Sequence, residues 1–193
     1  MSLAIVPGAG TAERFGSTKL LADVHGVPLV ARTIRSLQDG GIDRVVLVVA
    51  PGSPLLDLTG PRNLFRSPAV QIAINPDPER GMLSSIQAGL AAADSDRTLM
   101  LPADMPFVRP ATVAAVLAAA AESSAIILPT YERAHGHPIG LPAAARDVIL
   151  GADPRATLKD VLAASGLDYR EVLVDDPGVL RDVDVPRDLH REE

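Results

Sequence analysis

Residues 7–19, Pro7-Gly8-Ala9-Gly10-Thr11-Ala12-Glu13-Arg14-Phe15-Gly16-Ser17-Thr18-Lys19, combine small residues and two cations in one short loop. The loop follows an apolar run over 3–6 that reads as a buried first strand. Small side chains at Gly8, Ala9 and Gly10 let backbone N–H groups come close to a polyanion. Arg14 and Lys19 add fixed positive charge to the same place. Amides plus two cations suit a nucleoside triphosphate, whose charge must be neutralised before its α-phosphate is attacked. Two commoner phosphate loops do not fit. Glu13 stands where the dinucleotide fingerprint has its third glycine, which argues against a nicotinamide-binding domain, and Leu20 follows Lys19 where a Walker loop needs Ser or Thr.

Asp104 follows another apolar run, in Leu-Pro-Ala-Asp-Met-Pro. A carboxylate held between Pro102 and Pro106 after a buried strand is placed to bind a hard cation such as Mg²⁺, which takes one or two carboxylates together with substrate phosphates. The same aspartate would also serve as a turn residue. Residues 181–186, Arg-Asp-Val-Asp-Val-Pro, alternate Asp and Val, so a short strand there would put Asp182 and Asp184 on one face. Asp184 reads equally as a metal ligand and as the N-cap of a proline-started helix. At 81–90, Ser84 and Ser85 read as helix-capping residues, or as hydroxyls that read a base edge together with the backbone of Gly81. His135 and His137 are one residue apart, but without cysteine or another histidine cluster this segment reads as a loop positioning a second substrate, not a zinc site.

These residues need a scaffold, and the rest of the chain supplies a pattern for one. Short runs rich in Val, Ile and Leu at 3–6, 44–50, 70–74, 98–101, 125–128 and 171–174 predict strands. Helical stretches fall between them at 28–38, 83–93, 111–122, 143–150 and 157–164. Pro28 and Pro110 suit a first helical turn, and Gly40-Gly41 suits a helix end. Strand followed by helix, repeated, predicts an α/β fold: a three-layer α/β/α sandwich around a mostly parallel sheet, in one domain over 1–193. Ligands in such folds bind at the carboxyl ends of the strands. The loops at 7–19, 75–81 and 102–109 are therefore expected to converge on one cleft. The proline-dense segment 51–68 reads as a surface excursion and the terminal Arg191-Glu192-Glu193 as frayed.

Composition narrows the partners. The 193 residues are 47% hydrophobic but only 3% aromatic, so the core must be built from Ala, Val, Leu and Ile. Mean hydropathy is +0.21, which argues against disorder. A net charge of −6 argues against nucleic acid or an anionic membrane as main partner. No cysteine is present, which removes disulfides, thiolate zinc and cysteine nucleophiles and fits a reducing cytoplasm. The start lacks the basic region of a signal peptide and its apolar run ends at Pro7, and no uninterrupted apolar run approaches membrane-spanning length.

Taken in order, these segments resemble the molybdenum cofactor cytidylyltransferase family, a branch of the nucleotidyltransferases. Ala9, Gly10, Arg14, Gly16 and Lys19 match its opening motif. Gly81, Met82, Ser84 and Ser85 match its Gly-Met-Ser-Ser-Ser-Leu segment, Asp104-Met105-Pro106 its metal loop, Gly136-His137-Pro138 its Gly-His-Pro element, and Asp182 to Pro186 its Asp-x-Asp-x-Pro. Pro7, Gly8, Ala12 and Leu83 depart from the pattern, and 151–159 matches it loosely. The resemblance implies the nucleotide-diphospho-sugar transferase type of fold. It implies transfer of a nucleotidyl group, with CTP favoured as donor and molybdopterin as phosphate-bearing acceptor. Arg14, Lys19 and the loop amides would hold the triphosphate, Asp104 and Asp184 would hold Mg²⁺, and His137 would meet the second substrate. A monomer or homodimer is expected. The alternatives are GTP or ATP as donor, a sugar, polyol or isoprenoid-precursor phosphate as acceptor, or a carrier that binds without turnover.

Overall fold

A computed structural model describes residues 1–10, 19–59 and 69–190. The apolar runs form an eight-stranded sheet. Its strands are β1 (Ser2–Pro7), β4 (Arg44–Val49), β5 (Val70–Ile74), β6 (Arg97–Met100), β7 (Ile126–Tyr131), β8 (Ala134–His135), β9 (Ile139–Pro142) and β10 (Tyr169–Leu173). A two-stranded ribbon, β2 (Asp23–Val24) and β3 (Val27–Pro28), lies apart from it. The sheet order is β10-β7-β9-β6-β1-β4-β5, with β8 beside β7. β1 pairs in parallel with β4 and β6, β4 with β5, and β10 with β7; only β8 and β9 run antiparallel to their neighbours.

Alternation along each strand separates two cores. Ala4, Val6, Val45, Leu47, Leu99 and Leu101 face α1 (Leu29–Asp39) and α3 (Pro110–Ala121). Leu3, Ile5, Val46, Val48 and Met100 face α2 (Met82–Ala92), α4 (Ala143–Gly151) and α5 (Leu158–Ala164). Strands covered on both faces need apolar residues at every position, which is why β1 and β4 read as continuous runs rather than alternating ones. The helices carry their apolar residues at helical spacing, as Val30, Ile34 and Leu37 do on α1. Each fully buried Leu, Ile or Val contributes about 1.5–3 kcal/mol relative to exposure.

The helix ends behave as their residue types require. Pro110 opens α3, Pro28 immediately precedes α1, and Gly41 after α1 adopts a φ of +95°. Gly89 on α2 is set by close approach. A Cβ there would lie 2.6 Å from Ile5 Cγ2 and 2.9 Å from Val48 Cγ2, both buried. Gly89→Ala is therefore expected to destabilise the fold by about 1–3 kcal/mol through overpacking. A lower urea midpoint would show it, and an unchanged midpoint would contradict this packing.

Three expectations need correction or extension. β9 inserts antiparallel between β6 and β7, in a stretch whose Gly140 and Pro142 hide strand character. Gly140 is required there, since a Cβ would meet Ile127 Cβ at 2.9 Å. Residues 181–184 form no strand: Val183 is buried and Asp182 and Asp184 are exposed, so the alternation holds without a ladder. Within 51–68, the 3-10 turn Pro54–Thr59 packs Leu55 into the core, so this part is more than a surface excursion; Pro61 and Pro68 lie outside the described residues, as does 191–193.

Candidate active site

The carboxyl ends of β1, β5 and β6 open on one cleft of about 440 Å³, a size suited to a small-molecule ligand. Residues 7–10 line it from the first loop, with Lys19 and Leu20; Pro78, Glu79, Gly81, Met82 and Ser85 from the second; and 102–104 from the third. This is the convergence that the strand order requires. Arg14, expected to hold the triphosphate, lies outside the described residues, as do Ala12 and Gly16.

The first loop offers its amides unequally. Gly8 N–H donates to Val48 O at 2.8 Å, extending the sheet, and so is already used. Ala9 is buried and Gly10 exposed, and among the described residues neither amide has an acceptor. Pro7 costs little at the strand end, where its carbonyl still accepts from Ala103 N–H at 3.1 Å. That bond ties the first loop to the loop carrying Asp104.

Asp104 is held by its surroundings more than by its own side chain. Thr33 Oγ1 on α1 donates to Ala103 O at 2.9 Å, Ser36 Oγ donates to Val108 O, and Val183 N–H donates to Asp104 O at 2.9 Å. The last bond brings the 181–186 segment to the site. Asp176, almost wholly buried, secures that segment further back. Its carboxylate accepts from Arg109 N–H at 2.9 Å, Thr112 Oγ1 at 2.7 Å and Gly178 N–H at 2.9 Å. Nothing in the sequence pattern singled out Asp176. An aspartate just before a proline looks like any turn residue.

Lys19 Nζ lies 2.9 Å from Asp104 Oδ2 and 3.2 Å from Asp184 Oδ1. Burial lowers the Lys19 pKa, but hydrogen bonds and charge from Asp104 and then Asp184 more than offset this, and the net shift is upward. Lys19 is therefore a cation at neutral pH. Asp182 makes no such bond to Lys19; its carboxyl is pushed up by desolvation first and by the nearby Asp184 charge next. The Asp184 carboxylate serves Lys19, while the turn Pro186–His190 is capped by Asp188 Oδ2, which accepts from Asp184 N–H and Val185 N–H.

The Lys19 ammonium also tests whether a metal would fit. Two carboxylates already meet at one cationic centre, and oxygens that reach one nitrogen can reach one hard ion. Among the described residues no group of three His, Cys, Asp or Glu side chains is placed to hold a metal. A donor set of two carboxylates, completed by phosphate oxygens and water, is the kind that Mg²⁺ accepts.

The remaining expected residues separate. Ser85 lines the cleft; Ser84 does not, and its hydroxyl donates to Gly81 O at 2.7 Å. Gly81 lines the cleft at the start of α2 with a φ of +106°. Leu83, which departs from the family motif, points into the core, so that change does not touch the cleft. His137 lies outside the cleft lining, partly buried and close enough to feel the Asp104 charge. Burial holds its pKa down at about 4 against an ordinary 6.5, with Asp104 opposing, so it is neutral at pH 7. The unfolded chain then takes up a proton that folded His137 refuses. Its contribution to stability is complete above about pH 6.5 and is lost as pH falls towards 4. Urea midpoints across that window should fall less for His137→Gln than for the native chain; equal falls would contradict the burial.

Comparison with known proteins fits this geometry. The model of the MobA-like NTP transferase domain matches residues 4–171. A 2-C-methyl-D-erythritol 4-phosphate cytidylyltransferase of Frankia casuarinae is 28% identical over 196 residues, covering 95% of this chain and 70% of the relative. A phosphoenolpyruvate guanylyltransferase of Rubrobacter xylanophilus is 31% identical over 170 residues, covering 86% and 78%. The fold matches Rv0371c from Mycobacterium tuberculosis H37Rv with a TM-score of 0.82 at 21% identity, over 98% of this chain and 95% of that one. A manganese complex of that protein also superposes, with a TM-score of 0.74 at 18% identity over 98% and 95%. Matched over most of its length, the chain belongs to the MobA-like NTP transferase domain family and is a nucleotidyltransferase.

Proposed function

We propose that this enzyme transfers a cytidylyl group from CTP to a phosphomonoester, with molybdopterin as the favoured acceptor, and releases pyrophosphate. The observation that carries the reading is the Lys19 ammonium held between Asp104 and Asp184 beside the Ala9–Gly10 amides. Cytidylyl transfer is supported by the Frankia relative, and molybdopterin by the order of motifs from Gly10 to Pro186.

In the reaction an anionic oxygen of the acceptor phosphate attacks the α-phosphorus in line. A P–O bond forms to the acceptor, and the bond to the bridging oxygen of the β-phosphate breaks. The electron pair leaves with pyrophosphate. The nucleophile is already ionised, so the chain need not supply a base, and neutral His137 is not asked to be one. Mg²⁺, held by Asp104 and Asp184, would neutralise phosphate charge and stabilise the leaving pyrophosphate. Lys19, Arg14 and the Ala9 and Gly10 amides bind and orient the triphosphate, so catalysis is positioning plus charge neutralisation.

A second reading has its own support. The Rubrobacter relative favours guanylyl transfer from GTP to phosphoenolpyruvate. Product masses from CTP or GTP offered with molybdopterin, 2-C-methyl-D-erythritol 4-phosphate or phosphoenolpyruvate separate the readings. A cytidylylated molybdopterin is expected. A guanylylated phosphoenolpyruvate as the main product would replace the first reading with the second.

A further inference from the structure

Asn75 follows β5 and is 2% exposed. Its Oδ1 accepts from Asp77 N–H at 3.0 Å, and a backbone N–H can only donate, so the orientation of the amide is fixed. Its Nδ2 then faces α2 and donates to Ser84 Oγ at 2.8 Å and Ser85 Oγ at 3.0 Å. Both serines must therefore accept from Asn75. Ser84 passes its own proton to Gly81 O at 2.7 Å. Ser85 is 3% exposed and lines the cleft beside Gly81 and Met82, yet among the described residues no acceptor takes its proton. A buried hydroxyl with an unused proton at a ligand cleft is a donor awaiting an acceptor.

We infer that Asn75 sets the hydrogen-bond polarity of Ser85, making that hydroxyl a donor that selects the acceptor edge of the nucleobase. The inference rests on the cytidylyl-transfer reading for the identity of the base. Cytosine offers acceptors at O2 and N3. Uracil shares the O2 acceptor but carries N3–H, so the discriminating contact is the one to N3, where uracil would face the Ser85 proton with another proton. Buried polar groups reject a mismatched partner far more strongly than apolar walls reject a misfit, because the mismatch leaves both groups unpaired. Asn75 touches no substrate in this scheme and acts as a positioning residue; Ser85 makes the contact.

Asn75→Asp reverses the device with no change in shape. A carboxylate still accepts from Asp77 N–H, but it also accepts from the serine hydroxyls, so the Ser85 proton turns inward and a lone pair faces the cleft. Equilibrium binding of CTP and UTP to the full chain, run beside pyrophosphate release, tests this. The native chain should prefer CTP by roughly tenfold or more. Asn75→Asp should abolish or invert that preference. Ser85→Ala, which disturbs folding less, should weaken CTP binding roughly tenfold and collapse the preference. A native chain that binds both nucleotides equally, or a preference that survives in both variants, would overturn the inference. Should the binding preference behave as expected while CTP yields no pyrophosphate with any acceptor, the inference stands and the transfer reading falls. No binding of either nucleotide would remove both.

Discussion

Asp104→Asn is expected to lower turnover by at least ~10²-fold, the scale of losing one electrostatic contact to the transition state. The substitution keeps the shape of the side chain and removes its charge. The backbone bond from Val183 N–H to Asp104 O does not involve the side chain and survives, as do the supports from Thr33 and Ser36. The loop should therefore keep its path, and the thermal midpoint should change little. Steady-state turnover read beside a melting curve separates loss of charge from loss of fold. Normal turnover in a folded Asp104→Asn protein would remove Asp104 from the chemistry.

Lys19→Ala is the second large effect. The native ammonium neutralises two carboxylates at once, and it is the only described cation lining the cleft. Its removal leaves Asp104 and Asp184 without their ammonium partner when the triphosphate arrives. A charge-assisted hydrogen bond contributes about 1.5–3 kcal/mol, so KM for the nucleotide should rise roughly 10- to 100-fold, with turnover falling as well. Lys19→Arg should restore little, because a planar guanidinium cannot replace a compact ammonium between two carboxylates. Unchanged nucleotide KM and turnover in Lys19→Ala would contradict the role assigned to it.

Much of this site is legible in the residues themselves. Continuous apolar runs at β1 and β4 announce a buried parallel sheet, and the strand-end rule then places the three loops at one cleft before any coordinate is known. Asp104 is legible because two prolines fix a lone carboxylate after a strand. Other parts are hidden for physical reasons. β9 contains Gly140 and Pro142, which lower strand propensity, and close packing on Ile127 supplies what propensity lacks. The β2–β3 ribbon turns through His25 and Gly26 at positive φ, and His-Gly is a weak turn signal. Residues 181–184 carry the alternation of a strand, but they spend their backbone on Asp104 rather than on a ladder. The sharing of Asp104 and Asp184 by Lys19 joins residues 165 positions apart, which no local pattern encodes. Asn75 and Asp176 both sit beside turn-forming residues and look like punctuation. Only burial shows that one orients two serines and the other anchors the segment that carries Asp184.

The proposed reaction is transfer of a nucleotidyl group to a phosphate acceptor at the cleft lined by Lys19 and Asp104. Pyrophosphate release with Mg²⁺ and CTP, GTP or ATP, each with and without molybdopterin, tests it most directly. Release from CTP that requires both Mg²⁺ and the pterin is expected. A folded protein that releases no pyrophosphate from any nucleotide, with molybdopterin or with the polyol and enol phosphates that its relatives suggest, would contradict it.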